Sequence, residues 1–300
     1  MASPAGAAYE TERSDSMGAY ETSLLTLVAI HVILALSLNL ITGLCGQVSL
    51  GHAAFFGVGA YATALLAKAG FGMAVTLSSA LLLAGLAGLV VGFCSLRVRD
   101  DFLAIATMAA GFLFVGAVRT TEALGGELGI SQIPATGLGT AYPVLVVACA
   151  ATTGLVCWVV KRSWLGYVFE AVSADEPAAR SLGIDTPLYK LAAFTIGTAL
   201  AGLAGCLYAY HLGNVGTEAF GFPVSVMILA MVVIGGMGSL WGSVLAAALL
   251  TLAPEWFRFV NDYKLLVFGL LLFVIMRIAP QGLFPWMVQQ LRLLRAKEMA

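Results

Sequence analysis

The feature that most restricts this chain is a recurring one: apolar stretches long enough to cross a bilayer, joined by short connectors. A helix rising 1.5 Å per residue needs about 20 mostly apolar residues to span a hydrocarbon core of roughly 30 Å. Such stretches lie at 22–42, 47–69, 73–96, 101–118, 142–160, 190–211, 221–239, 242–259 and 263–279. They predict an all-α fold, a polytopic transmembrane helical bundle of about nine spans, about eight to ten being the range the boundaries allow. Composition closes the alternative of a water-soluble domain. Hydrophobic residues make up 60% and charged residues 10% of the chain, with a mean hydropathy of +0.96. A soluble domain carries roughly 25% charged residues. Too few charges remain to clothe a water-facing surface, so the lipid bilayer is the main solvent. The net charge of −1 gives no basis for a nucleic-acid partner.

Three regions follow. Residues 1–21 form an acidic tail, with Glu10, Glu12, Asp15 and Glu21 against Arg13. That balance is the reverse of a signal peptide's basic start, and the tail is expected to be flexible and uncleaved. Residues 22–285 form the membrane domain, with a polar loop at 161–189, and 286–300 form a basic tail. With that loop in the cytoplasm, Arg97, Arg99, Lys161, Arg162, Arg180, Lys190, Arg277, Arg292, Arg295 and Lys297 fall inside. Arg13, Lys68, Arg119, Arg258 and Lys264 fall outside. The excess of basic residues inside predicts an external N-terminus and a cytoplasmic C-terminus. Small residues four apart (Gly88 and Gly92, Ala201 and Gly205, Gly238 and Gly242) predict close helix approach. The cysteines (Cys45, Cys94, Cys149, Cys157, Cys206) lie in apolar stretches without a CxxC pair, which fits core packing rather than a metal site or disulfides.

The second stretch is irregular. Asn39, Gln47, Ser49 and His52 are polar, and Gly43, Gly46, Gly51, Gly57 and Gly59 punctuate them. Unsatisfied polar groups cost several kcal/mol each in lipid, so such a segment survives only inside protein or beside a water-filled cavity. Two readings stand: a discontinuous helix lining a translocation path through Asn39, Gln47, Ser49, His52, Gly57 and Gly59, or polar glue between helices. Gly57-Val58-Gly59-Ala60-Tyr61-Ala62 matches a dinucleotide-binding fingerprint but lacks a βαβ setting and the acidic residue downstream.

The 161–189 loop carries a bounded helix. Asp175, Glu176 and Pro177 suit a first turn, Gly183 suits a left-handed stop, and Asp185-Thr186-Pro187 suits the cap of the next span. Such a helix, lying along the membrane with small alanines, is a shape that a soluble partner's groove can grip. An ordinary solvated connector is the plainer reading.

The run Glu176 to Gly183, with Ala178 and Ala179, resembles the coupling motif of ATP-binding cassette importer permeases. Asn39 to Leu66, Leu96 to Ile105, Gly125-Gly126 with Gly129-Ile130, Ala230 to Gly242, and Pro280-Gln281-Gly282-Leu283 resemble the M-type permease of branched-chain amino acid importers. The similarity covers 24–285, although the arginine often found directly before the last motif is displaced here to Arg277. The resemblance implies an ATP-coupling loop involving Glu170, Asp175, Glu176, Ala178, Ala179, Arg180 and Gly183. It implies a sister permease forming a heterodimer, two ATPase subunits on the cytoplasmic face, an external solute-binding protein, and residence in a bacterial inner membrane. No cofactor, metal or catalytic residue is expected. The chain lacks G-x-x-x-x-G-K-[ST], so ATP must be hydrolysed elsewhere. A urea or short-amide importer is the nearest alternative. A gradient-driven secondary transporter lacks the mid-span acidic cluster it needs. An intramembrane hydrolase would need partners for His31, His52 and His211 that the spacing does not supply.

Overall fold

The computed structural model describes residues 4–95 and 100–256, with isolated positions and the helical run 283–287 beyond. Ten α-helices follow in order up to residue 256: α1 Pro4–Leu38, α2 His52–Lys68, α3 Met73–Ser95, α4 Asp100–Thr120, α5 Ala141–Arg162, α6 Trp164–Ala174, α7 Glu176–Ser181, α8 Thr186–Leu212, α9 Phe222–Gly235 and α10 Leu240–Trp256. A π-helical turn, Asn39–Leu44, prolongs α1. Among the described residues, extended pairing is confined to one bridge, Ile130 with Val215, tying the α4–α5 connector to the segment after α8.

The count of nine spans is not reached among the described residues. Five helical segments are long and apolar enough to cross a bilayer: Tyr20–Leu44, Met73–Ser95, Leu103–Thr120, Ala141–Arg162 and Thr186–Leu212. The expected span at 47–69 begins only at His52, because residues 45–51 are not helical. The spans expected at 221–239 and 242–259 shorten to α9, 14 residues, and α10, 17 residues. Gly236 (φ 104°) and Gly238 (φ 77°) turn the chain between them. The stretch at 263–279 lies largely outside the described residues, as do the side chains of Arg97, Arg99 and Glu255.

The loop at 161–189 departs from the single helix expected of it. Two helices fill it, and α6 is apolar on one face, burying Gly166, Val168, Phe169 and Val172. The second, α7, starts where the sequence places it: the Asp175 carboxylate accepts from the Ala178 amide at 3.0 Å, and Gly183 closes the turn at φ 85°. Asp185 likewise caps α8 through the Leu188 amide at 3.5 Å.

Bundle packing centres on α8, which meets three helices through glycines. A Cβ on Gly197 would strike Ile41 and the Ser37 carbonyl at the end of α1. One on Gly202 would strike the Ala80 carbonyl and Ala84 of α3, and one on Gly205 the Phe56 carbonyl of α2. Gly59 of α2 lies on the backbone of Gly202 in return, and Gly88 of α3 fits against Thr198. Backbones brought this close gain dispersion contact along their length, the force that holds helices together where lipid is as apolar as leucine. Gly238 and Gly242 play a different part from the helix pair expected. Gly238 sits in the turn, and Gly242 packs on Gly235 across it.

Gly205→Ala and Gly116→Ala should therefore act oppositely. The first forces a methyl into the Phe56 carbonyl and should cost about 1–3 kcal/mol as overpacking. The second, with nothing within 4 Å of its Cβ, should be neutral or slightly stabilising through helix propensity. Thermal unfolding of the two purified variants in detergent checks this.

Candidate functional site

Residues 45–51 leave the helix at the end of the π-helical turn, where Gly46 takes φ 73°. They run from the 161–189 loop, where Gly46 lies against Ser173, to the middle of the bundle at the start of α2. Their polar groups are met by side chains and carbonyls from several other elements. Thr42 donates to the Gln47 carbonyl at 2.9 Å. The Leu50 amide donates to Thr107 Oγ1 of α4 at 3.1 Å, and just beyond the segment, in the first turn of α2, the Ala53 amide donates to Ser225 Oγ of α9 at 3.0 Å. Gln47 Nε2 donates to the Lys190 carbonyl of α8 at 2.9 Å.

The six residues picked out for a path separate in space. Asn39, in the π-turn, accepts from the Gly238 amide at 2.8 Å and so joins α1 to the α9–α10 turn. Gly43 allows this, since a Cβ there would overlap both the Asn39 side chain and the Gly238 nitrogen. His52 Nε2 pairs with Ser37 Oγ at 2.8 Å. Asn39, Gln47, Ser49 and His52 are all buried. Asn39 Nδ2, Ser49 Oγ and His52 Nδ1 have no hydrogen-bond partner among the described residues. Gly57 and Gly59 lie further along α2. Gly59 serves the contact with α8, and Gly57 lies under the rings of Phe114 and Phe220. Those rings belong to an aromatic cluster with Phe56, Tyr61 and Tyr208 that fills the bundle beyond the break.

The loop residues divide too. Glu176 gathers three donors: Arg180 Nη2 at 2.6 Å, Thr186 Oγ1 at 2.9 Å and Lys190 Nζ at 2.5 Å. Arg180 also donates to Thr186 Oγ1 at 2.8 Å. Glu176 and Lys190 are mostly buried, with 16% and 7% of their side chains exposed, so this pair keeps much more of its Coulomb attraction than a surface pair does. It clamps α7 onto the first turn of α8. Ala178, Arg180 and Gly183 face out, whereas Ala179 is buried. Asp175 acts as the cap, and Glu170 of α6 stands apart in the wall of a separate cavity. Two residues that carry weight here escape sequence reading. Lys190 looks like one more cytoplasmic charge, yet it joins the clamp to the break, its Nζ on Glu176 and its carbonyl on Gln47. Leu182 is 80% exposed at the tip of α7, and an apolar residue in a polar loop was the one available signal. A cavity of about 470 Å3 lies between clamp and break, walled by Gly46, Gln47, Ser173, Glu176 and Lys190. Among the described residues no group of three His, Cys, Asp or Glu side chains could hold a metal ion.

The model of the family described as "Branched-chain amino acid transport system / permease component" matches residues 21–276. The chain belongs to that family. It is thus a membrane permease subunit of an ATP-binding cassette importer and is not itself an enzyme. The high-affinity branched-chain amino acid transport system permease protein LivM of Escherichia coli (strain K12) is 39% identical to this permease, over 89% of this chain and 71% of the relative. The corresponding permease protein LivH of Salmonella typhimurium is 24% identical, over 86% of this chain and 92% of the relative. Among solved structures, a chain of PsaBC from Streptococcus pneumoniae in complex with Fab superposes with a TM-score of 0.50. It is 16% identical, covers 87% of this permease and 92% of that chain, and so shares the fold.

Glu176→Ala removes the carboxylate from a mostly buried ammonium and should destabilise the permease by roughly 2–4 kcal/mol. Glu176→Ala with Lys190→Met should recover much of that loss, since neither charge then stays behind. Thermal unfolding of the single and double variants measures the coupling.

Proposed function

We propose that this permease is one half of a heterodimeric importer for branched-chain, hydrophobic amino acids. A sister permease completes the membrane part, two ATPase subunits bind beneath it, and an external solute-binding protein delivers the substrate. The relation to LivM carries the substrate reading, and the LivH-type relative supports the paired subunit. Nine crossings make up the domain of 22–285, with α2, α9, α10 and 263–279 completing the five long spans. The 161–189 loop and the basic tail at 286–300 face the cytoplasm of a bacterial inner membrane, and the acidic tail at 1–21 lies outside.

In this reading α7 is the handle by which the ATPases move the bundle. The observation that carries it is the unbroken link from the exposed tip to the break: Leu182 on α7, Glu176 at its start, Lys190 on α8, Gln47 in the irregular segment. A displacement of α7 reaches Gln47 through one ion pair and one hydrogen bond. Asn39, Ser49 and His52 then line the opened path. Their unpartnered polar atoms are groups that water or a substrate's ammonium and carboxylate can satisfy once the bundle parts. The path residues offer amide, hydroxyl and imidazole groups but no carboxylate or ammonium. That makes for weak, passing contact, which suits substrate captured tightly outside and released inside.

Leu182 should be an anchor in the ATPase groove. Because its side chain is already exposed, Leu182→Glu leaves the fold intact but should cut ATP-driven leucine uptake by about tenfold or more, the loss typical of one interfacial anchor. The assay is uptake into proteoliposomes holding the full complex and its binding protein. Uptake at the level of the unaltered complex would remove α7 from the coupling role.

A further inference from the structure

The structure holds two cavities that meet at the end of α5, and together they have the shape and chemistry of one lipid. The first, about 530 Å3, is a groove between α1, α5 and α10, walled by Val32, Leu36, Val147, Leu155, Leu240 and Val244, with Trp158 and Trp241 at its end. Its lining is apolar throughout. The second, about 650 Å3, shares Trp158, Leu240 and Trp241 with the first and continues past them to Lys161, Arg162, Ser239 and Glu170.

Length argues for one acyl chain rather than a neighbouring helix. The groove follows α5 from Val147 to Trp158, about 16 Å at 1.5 Å per residue. That is one leaflet of a hydrocarbon core of roughly 30 Å, whereas a partner helix would be received along the whole span. Charge argues for an anionic headgroup. Lys161 and Arg162 are both exposed and form no ion pair among the described residues. Among the described residues Lys161 Nζ donates only to the Gly238 carbonyl, at 2.6 Å, and Arg162 lies 4.8 Å over the Trp158 ring. Glu170 is the acidic group in this wall, leaving a net positive mouth. Paired tryptophans at the junction of an apolar groove and a basic mouth mark the depth of lipid headgroups.

We propose that this permease binds an anionic phospholipid here, with an acyl chain in the groove of α1, α5 and α10 and the headgroup phosphate against Lys161 and Arg162. The assignment of that mouth to the cytoplasmic leaflet rests on the orientation proposed above; the site itself does not. Bound at the turn that Gly238 shares with Asn39, the lipid steadies the α9–α10 hairpin against the break.

Native mass spectrometry of the purified transport complex, titrated with phosphatidylglycerol and phosphatidylcholine in turn, tests this. Phosphatidylglycerol should be retained with a preference of about tenfold, as two basic residues near a headgroup provide. Lys161→Gln with Arg162→Gln should bring that preference close to one while lipid still binds. Ala151→Trp, on an exposed position of the groove wall, should reduce retention of both lipids. A preference that survives the double substitution overturns the proposal. So does displacement of phosphatidylglycerol by inorganic phosphate alone, which assigns the mouth to a free anion. A bismaleimide crosslink to a cysteine placed in the sister permease that forms only with Leu155→Cys also overturns it, because a protein then fills the groove.

Discussion

The backbone of residues 45–51 is the constraint around which the rest is arranged. Peptide groups that leave a helix inside a bilayer find no water, and each left unpaired costs several kcal/mol. Here they are met by Thr42 from the π-turn and Thr107 from α4, while the Lys190 carbonyl of α8 holds the Gln47 side chain and Ser225 of α9 takes the Ala53 amide in the first turn of α2. Thr107, Ser225 and Lys190 come from distant parts of the chain, so the irregular segment is stable only when the whole bundle is assembled. Its cost makes it unsuited to passive support. A continuous helix would hold the membrane domain together with fewer demands.

Around that segment the helices are locked closely. At Gly197, Gly202 and Gly205, α8 brings its backbone against the π-turn region, α3 and α2. Contacts of this kind do not stretch, because losing even a fraction of an ångström forfeits much of the dispersion energy. A bundle built this way moves by rotating or sliding packed bodies, not by bending within them. The soft places are then the turns: the α9–α10 hairpin at Gly236 and Gly238, and the break itself.

How much of this is legible in the sequence depends on how far each feature reaches along the chain. The caps of α7 and α8 can be read because Asp175 and Asp185 act on amides three residues away, and Gly183 declares its own backbone. The oily spans can be read because lipid imposes a length. The break can be read from Asn39, Gln47, Ser49 and His52 standing in an apolar run. What cannot be read is pairing across the fold. Nothing near Lys190 says that its ammonium meets Glu176 while its carbonyl meets Gln47, and nothing near Gly238 points to Asn39. The helix α6 is missed for a related reason. Its apolar residues lie in a stretch too short to span the membrane, and their burial against the bundle depends on contacts far along the chain. Ala179 misleads in the same way, since of two adjacent alanines only tertiary packing decides which is covered.

The clamp of Glu176 gives so short a helix the rigidity that the proposed coupling role demands. An isolated helix of six residues would not persist, because nucleating one turn costs more than it returns. The cap at Asp175, the stop at Gly183 and the ion pair to Lys190 instead make α7 a rigid outgrowth of α8. A push on Leu182 therefore cannot be absorbed by unwinding the helix that carries it. It must move α8, which touches α1, α2 and α3 at its glycines and Gln47 at its first turns. The amplification lies in that geometry: one exposed leucine bears on the helix that α1, α2 and α3 pack around.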